Sequence, residues 1–454
     1  MGFNLPLLNR RRRSGGGPQS PVDLFSSGAQ GIWYDPADLT TMFQDSAGTI
    51  PVTAPGQPVG RRVDLSGRSN HSIQAVANSR LTYGIEPKTG RRNIFTFSED
   101  FTNAVWVKTG GATVAIVSGE TKLVSANATS RQYLSFTLPT LTLNNNYTYS
   151  IKAKAGELQW LRLFTRNEAS TSLSSWFNLS TGVVGTVGHA SASISPLGSG
   201  WYSISVTLSS GAADTTTALA FIELADGDNI ASVTGNGTNG LFIDDAQFEL
   251  GSTVTAYQRV TTAFDVTETG VASCPYVQYD GIDDSMGTAA AIDFTGADAM
   301  SVFTGIRRSS DAALGTVLEL GTDSTNNNGS FALRSPNTTA SAAYSYVSRG
   351  TALSLTTSPA SFAAPRHNVL TGLSDISADQ SVLRVNGVQV SSNTADQGTG
   401  TYANQTLFSG RRNNTSQPFS GRDFGMLVVG KNASAAEIAF MEAWFAARTP
   451  TVTL

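Results

Sequence analysis

One cysteine, Cys274, and three histidines stand among 454 residues, and charged side chains make up only 14% of the chain. A single cysteine excludes any disulfide within the chain and any cysteine-built zinc cluster. It leaves the compartment open, because a particle assembled in a cytoplasm and released outside would carry the same signature. The net charge of −4 is spread thinly, so the body lacks the clustered basic face that nucleic acid requires. No apolar run approaches the ~20 residues of a membrane span, and no membrane insertion is expected. At the N-terminus the charges follow the apolar stretch (FNLPLL, then RRRR). That is the reverse of a signal peptide and argues against export by the usual route.

Catalytic signatures are also scarce. His71, His189 and His367 lie in three different segments, none in an H-E-x-x-H or H-x-H setting, so no metal or triad assignment follows. His71, in RSNHS, reads as a turn residue making local hydrogen bonds. Glycoside hydrolases need two carboxylates facing each other across the scissile bond. Their usual strand signature, E-x-D-x-x-E, is matched neither by Glu99 and Asp100 in FTFSEDF nor by Glu223, Asp226 and Asp228 in FIELADGDN. The chain does not read as an enzyme.

What is present is a β-protein's vocabulary. Hydrophobic residues reach 40%, a globular value, and Gly, Ser, Thr and Asn fill the rest, as turns and exposed strand faces demand. The length suits two or three domains. Residues 1–30 form an arm with an apolar head, the run Arg10, Arg11, Arg12 and Arg13, and a Gly15-Gly16-Gly17 hinge. The arm is either a solvated tail or a docking peptide whose Phe3, Leu5, Leu7 and Leu8 bury in a partner while the arginines meet acidic groups. From Gly31 to residue 85, short β-type runs alternate with Pro-Gly, Ala-Gly and Ser-Gly turns, opening on Trp33-Tyr34-Asp35. Residues 86–262 repeat period-2 runs at short intervals: QYLSFTL, YTYSIKAKA, QWLRLFTRN, SWFNLSTGVVGTV, GWYSISVTL and TALAFIEL. That pattern predicts an antiparallel β-sandwich.

Residues 263–454 resume the first pattern, from YVQYDGIDDSM onward. Asn386-Gly387 in VLRVNGVQV predicts a hairpin, since Asn-Gly suits both left-handed positions of a type I′ turn. The one helix predicted comes last: Ser434 and Glu437 make a capping box, and Ile438, Met441, Trp444 and Phe445 share a face. The expectation is an all-β protein in which a guest sandwich interrupts a host. Insertions survive where their two ends sit side by side, and a sandwich whose first and last strands pair provides that.

Several stretches resemble bacteriophage tail-fibre-like and minor structural proteins with a concanavalin A-like, laminin-G-type jelly roll. GIWYDPADLTTMFQDSAGTIPVTAPGQPVGRRVDLSGRSNH is similar to the opening of such domains. VQYDGIDDSM and ASAAEIAFMEAWFAART are similar to their resumption and closing helix. NIFTFSEDFTNAVWVK and IDDAQFELGSTVTAYQRV resemble the first and last strands of a carbohydrate-binding-module-like sandwich. The resemblance implies a virion protein, assembled in a host cytoplasm and then extracellular. It specifies fold and context well and ligand poorly.

Candidate sites follow from residue chemistry. Asp280, Asp283 and Asp284 in one turn, and Asp244 and Asp245 with Glu99, are possible Ca²⁺ ligands, or else aspartates capping turns. Sugar binding asks for an exposed aromatic with planar polar groups. Trp106, after a loop-like stretch, and Trp160 with Arg162 two positions along are the surface candidates. Arg411, Arg412 and Asn413 add fork-shaped donors suited to an acidic glycan. Trp33, Trp176, Trp201 and Trp444 read as core. The expected function is attachment to a host-surface polysaccharide by a homo-oligomer, a trimer or a pentamer, docked to other virion proteins by the arm. A purely structural virion component and a capsule-degrading enzyme are the alternatives.

Overall fold

Strand Ser420–Val429 is the member around which the first of two units is built. The computed structural model describes residues 18–454. The arm residues Phe3, Leu5, Leu7, Leu8 and Arg10 to Arg13 lie outside them. The chain divides into one unit comprising residues up to Gly84 with Cys274–Leu454, and a second, Ile85–Ser273. In the first unit, Gly31–Tyr34 pairs antiparallel with Ser420–Val429 over Gly31↔Val429 to Tyr34↔Met426. Ser273–Asp280 pairs with the other end of that strand, over Val277↔Asp423 to Asp280↔Ser420. The aromatic opening strand and the YVQYD strand, some 240 positions apart in sequence, are therefore collinear neighbours along one strand.

The sheet continues through Ala299–Arg308, Arg366–Asp375, Gln380–Val385 and Val388–Asn393. A second antiparallel sheet runs from Met42–Phe43 through Arg61–Arg62, Ser72–Ile73, Met286–Thr288, Leu407–Ser409, Thr316–Leu320, Ser330–Arg334 and Ser345–Arg349 to Leu353–Thr357. Bonds between the two sheets show that they face each other. Arg62 Nη1 reaches Asp423 Oδ2 at 2.9 Å with both side chains buried. Tyr279 donates to Ser409 Oγ at 3.1 Å, and Tyr346 and Ser374 hydroxyls meet at 2.9 Å. This is a two-sheet antiparallel sandwich, the jelly-roll architecture that the resemblance implied. The outer face of the first sheet receives helix Ala435–Arg448, whose Met441 and Phe445 pack on Phe303, Val369, Leu427 and Val429. Ser434 and Glu437 close the capping box, and Asn386 and Gly387 have φ of 48° and 79°, as a type I′ turn requires.

The second unit is a sandwich of two six-stranded antiparallel sheets. One runs Val183–Val187, Ser172–Asn178, Trp160–Arg166, Leu219–Ala225, Tyr133–Thr137, Val107–Thr109. The other runs Ser191–Gly198, Trp201–Ser209, Asn146–Ala155, Gly240–Leu250, Glu120–Val124, Thr113–Val117. Leu134, Leu161, Leu163, Phe177, Ile222 and Leu224 from the first meet Tyr149, Ile151, Ile204, Leu241, Ile243 and Phe248 from the second in one core. The expected first strand, NIFTFSEDF, is not a regular strand. It lies along Gly240–Leu250, with Ile94 donating to Phe248 O at 2.8 Å and Ala246 to Ser98 O at 3.0 Å. The Asn93 side chain takes the place of ladder partners, accepting from Phe95 N and Phe248 N, and Phe97 turns into the left-handed region at φ 52°.

Candidate functional site

The sequence WLRLF, residues 160–164, alternates around two leucines. Leu161 and Leu163 point into the core, so Trp160, Arg162 and Phe164 share the outer face of their sheet. Register extends that face across four strands. Tyr133 lies opposite Glu223, Glu223 opposite Arg162, and Arg162 opposite Trp176. In the next row Phe221 lies opposite Phe164.

The centre of this face is Glu223, which has no exposed surface. Arg162 Nη1 holds its Oε2 at 2.6 Å, and Arg131 holds Oε1. Burial pushes the Glu223 carboxyl up from its ordinary range while the two guanidinium groups draw it back, and burial lowers Arg162. Arg162 also donates to Ser174 Oγ at 2.6 Å and lies 4.9 Å from the Phe164 ring centroid and 5.1 Å from that of Trp176. Arg131, 44% exposed at its side chain, sits 5.3 Å over Tyr133 and 5.2 Å over Phe164. Phe221 supports both rings, at 5.2 Å and 4.7 Å between centroids. Tyr133 and Phe164 are half-buried. The result is an accessible pair of aromatic edges bracketing one solvent-facing arginine, held in place by a buried acid and a second arginine.

The predicted site residues fall elsewhere, or serve other ends. Trp106, expected at the surface, is fully buried. Its indole donates to Phe97 O at 2.9 Å, and its ring packs on Phe95, Phe101 and Phe136. Arg162 is on the face but buried rather than exposed, and Trp160 is half-buried against the edge strand, where a Cβ on Gly185 would fall 2.9 Å from its ring. Arg411 turns onto its own chain, donating to Thr415 O at 2.6 Å. Arg412 is taken up by Glu319 at 3.1 Å and Asp323 at 3.0 Å, and Asn413 is a left-handed turn residue at φ 49°. These do not form a free fork of donors. Of the tryptophans read as core, Trp176 is buried with its indole on Ile230 O at 2.8 Å. Trp201, in contrast, is half-buried beneath Lys154, and Trp33 and Trp444 are half-buried against each other at 5.9 Å.

Among the described residues, Asp280, Asp283 and Asp284 are the group whose ligand atoms lie within 4.8 Å of one another. The turn uses much of that capacity. Asp280 Oδ1 accepts from the backbone N–H of Ile282, Asp283 and Asp284, and Asp284 Oδ2 accepts from Asp280 N at 2.9 Å. Burial, with Asp280 second, pushes Asp284 up to about 7. An all-oxygen set is what Ca²⁺ takes, and three carboxylates supply part of its six to eight ligands, the rest being carbonyl and water oxygens. Glu99, Asp244 and Asp245 do not form such a group: Glu99 pairs with Arg259 at 2.9 Å and Asp245 with Lys152. His71 accepts from Asp64 N at 3.0 Å, and His189 is wedged between Thr165 and Ser175.

The residues the sequence reading passed over are Arg131, Tyr133, Phe164, Phe221 and the bridging role of Glu223. Alternation marks Tyr133, Phe164, Phe221 and Glu223 as outward, each one position from an inward Leu, Ile or Ala on a strand already identified, whereas Arg131 precedes its strand and carries no such signal.

No protein-family model matches the sequence, and no curated protein matches it. Solved structures of similar fold include the CBM40 module of a Ruminococcus gnavus IT-sialidase, 19% identical, covering 32% of this chain and 84% of that one, at a TM-score of 0.27. A heptameric SAP-like pentraxin from Limulus polyphemus is 9% identical and covers 39% and 86%, at 0.32. Mouse laminin alpha1 domains LG4-5 are 12% identical and cover 69% and 89%, at 0.27.

Proposed function

We propose that the protein is a non-catalytic attachment protein that binds cell-surface glycan through the outer face around Glu223. The observation that carries this reading is the solvent-facing Arg131 set between the Tyr133 and Phe164 rings over a fully buried carboxylate. A sugar presents an apolar C–H face and a rim of hydroxyls. Aromatic edges suit the first and guanidinium donors the second, and a buried ion pair keeps both in register. Maintaining Glu223 in the interior of a sheet face costs desolvation, a cost that a binding role would account for.

A single site of this kind binds weakly, near millimolar or about −4 kcal/mol. Display in many copies raises avidity by ~10²–10⁴, which favours a symmetric homo-oligomer on a virion, docked by the basic arm. A purely structural role draws on a different observation: Val107 and Ile116, 51% and 61% exposed, sit on edge strands of the two sheets of the second unit and suit protein contacts. A glycan array probed with the full chain decides between them. Saturable binding to a defined set of glycans is the result expected, and an array with no signal leaves the structural role. Release of reducing ends from host polysaccharide would instead make the protein an enzyme.

A further inference from the structure

A strand that ends a sheet leaves a row of backbone groups without ladder partners, and proteins blunt such edges with charge, proline, bulges, short length or cover. Among the described residues, the strands that end the four large sheets carry these devices with one exception. Ser191–Gly198 holds Pro196 and a register shift beside it. Val183–Val187, Val388–Asn393 and Gln258–Thr262 all pair across register shifts. Val107–Thr109 and Met42–Phe43 are three and two residues long. In Leu353–Thr357, Leu355 O is covered by the Asn393 amide, which donates to it at 3.0 Å. Thr113–Val117 is the exception. Its sequence, TVAIV, has no charge, proline or glycine; it pairs in unbroken register with Glu120–Val124, and every residue but Val114 is exposed.

This edge is complementary to itself. Ser118 and Gly119, at φ 54° and 83°, form the two-residue turn into the next strand. Such a turn is closed by a hydrogen-bonded pair, which is Val117 and Glu120. By alternation Thr113 and Ala115 also bond to Glu120–Val124, so the N–H and C=O of Val114 and Ile116 point to the open side. A second copy of the strand, turned about a two-fold axis through Ala115, sets Val114 opposite Ile116 and Ile116 opposite Val114. Each of those pairs exchanges both N–H···O bonds, and the axis falls on two alanines at the closer, non-bonded spacing.

Side chains agree with this register. Val114 lies opposite Leu123, a core residue, so Ile116 also turns to the core face, yet it is 61% exposed. Pairing would lay it beside Val114 of the second copy. The other sheet ends nearby on Val107–Thr109, joined to this strand by residues 110–112 alone, and its Val107 is 51% exposed. Charge does not oppose the contact. Lys108, the one charged residue on the two edge strands, donates to Thr102 O and Asn103 O. Glu120 and Lys122, on the adjoining strand, are neutralised within their own copy by Lys154 at 2.5 Å and Glu157 at 2.6 Å. Two short edges fall below the ~20–30 residues a side of a standard interface, so the association is a weak one.

We propose that two copies of this chain pair through Thr113–Val117, joining two six-stranded sheets edge to edge across a two-fold axis. This names the partner of Val107 and Ile116 and holds whether or not the Glu223 face binds glycan.

Sedimentation equilibrium of the full chain tests it. A monomer–dimer equilibrium with a Kd of about 1–100 µM is expected. Ala115→Lys places two ammonium groups on the axis and should weaken pairing at least about tenfold. Leu197→Lys, on the strand ending the opposite edge of the same sheet, should leave it unchanged. Thermal melts establish that both variants are folded. Amide hydrogen exchange supplies a second readout: the N–H groups of Val114 and Ile116 should slow from dilute to concentrated protein, while that of Ala115, already bonded within its own sheet, should not change. No self-association at about 500 µM, a self-associated form that Ala115→Lys leaves intact, or exchange at Val114 and Ile116 that ignores concentration overturns the proposal.

Discussion

Glu223 has two arginine partners of different standing, and that difference is measurable. Arg162 is nearly buried and Arg131 is 44% exposed at its side chain. Removing Arg162 strands a buried carboxylate, so Arg162→Ala should cost about 3 kcal/mol. Arg131→Ala should cost less than about 1 kcal/mol, because solvent already screens that pair. Urea unfolding of the two variants checks the order, and equal losses would show that the buried pair is not the anchor. Asp244 supplies a pH test. Burial, with Asp245 second, pushes it up to about 6. A carboxyl whose pKa is higher folded than unfolded holds its proton more tightly in the native state. It therefore disfavours folding above about pH 6, and that penalty fades as pH falls through this value. Asp244→Asn should raise the melting temperature at pH 8 and leave it unchanged at pH 4; a variant advantage that persists in acid would contradict the assignment. Trp106 marks the limit of reading single residues. The polar stretch EDFTNAV before it suggests a surface loop, but that loop folds back and seats the indole on Phe97 O, a long-range event that local polarity does not encode.

At the scale of elements, legibility followed burial. Strands with one face in a core, such as Trp160–Arg166 and Leu219–Ala225, announce themselves by alternation. Thr113–Val117, Ser191–Gly198 and Leu353–Thr357 did not stand out in sequence, and all three are terminal strands of their sheets. Edge strands bury little, so their pattern is weak. The Asn386-Gly387 turn and the helix cap were readable because their chemistry is local. Ser434 Oγ accepts from Glu437 N at 3.3 Å and Glu437 returns a bond to Ser434 N at 2.8 Å. Ser434→Ala should lower stability by about 1 kcal/mol, read as a shifted denaturation midpoint; no shift would mean that the packing of Met441 and Phe445 alone sets the helix.

For the whole molecule, the informative sequence feature was the separation of an aromatic-acidic opening strand from YVQYD. Both lie along Ser420–Val429, so the first unit is assembled from distant parts of the chain. Within it, strand Leu81–Pro87 neighbours Ser273–Asp280, and a Cβ on Gly84 would fall 2.4 Å from Tyr276. The two ends of the first unit are thus adjacent. Replacing residues 85–273 with a short glycine-serine linker should leave a folded protein, as judged by dispersed amide resonances and a cooperative melt. Loss of both would show that the first unit needs the second to fold. What the sequence did not reveal was the Glu223 site, which exists only once four strands are in register.

Binding isotherms of wild type and the Tyr133→Ala/Phe164→Ala double variant for an array-identified glycan test the central claim most directly. A folded double variant should bind at least about tenfold more weakly, since each aromatic platform contributes about 1 kcal/mol. Unchanged affinity in that variant would place glycan recognition, and the protein's purpose, somewhere other than this face.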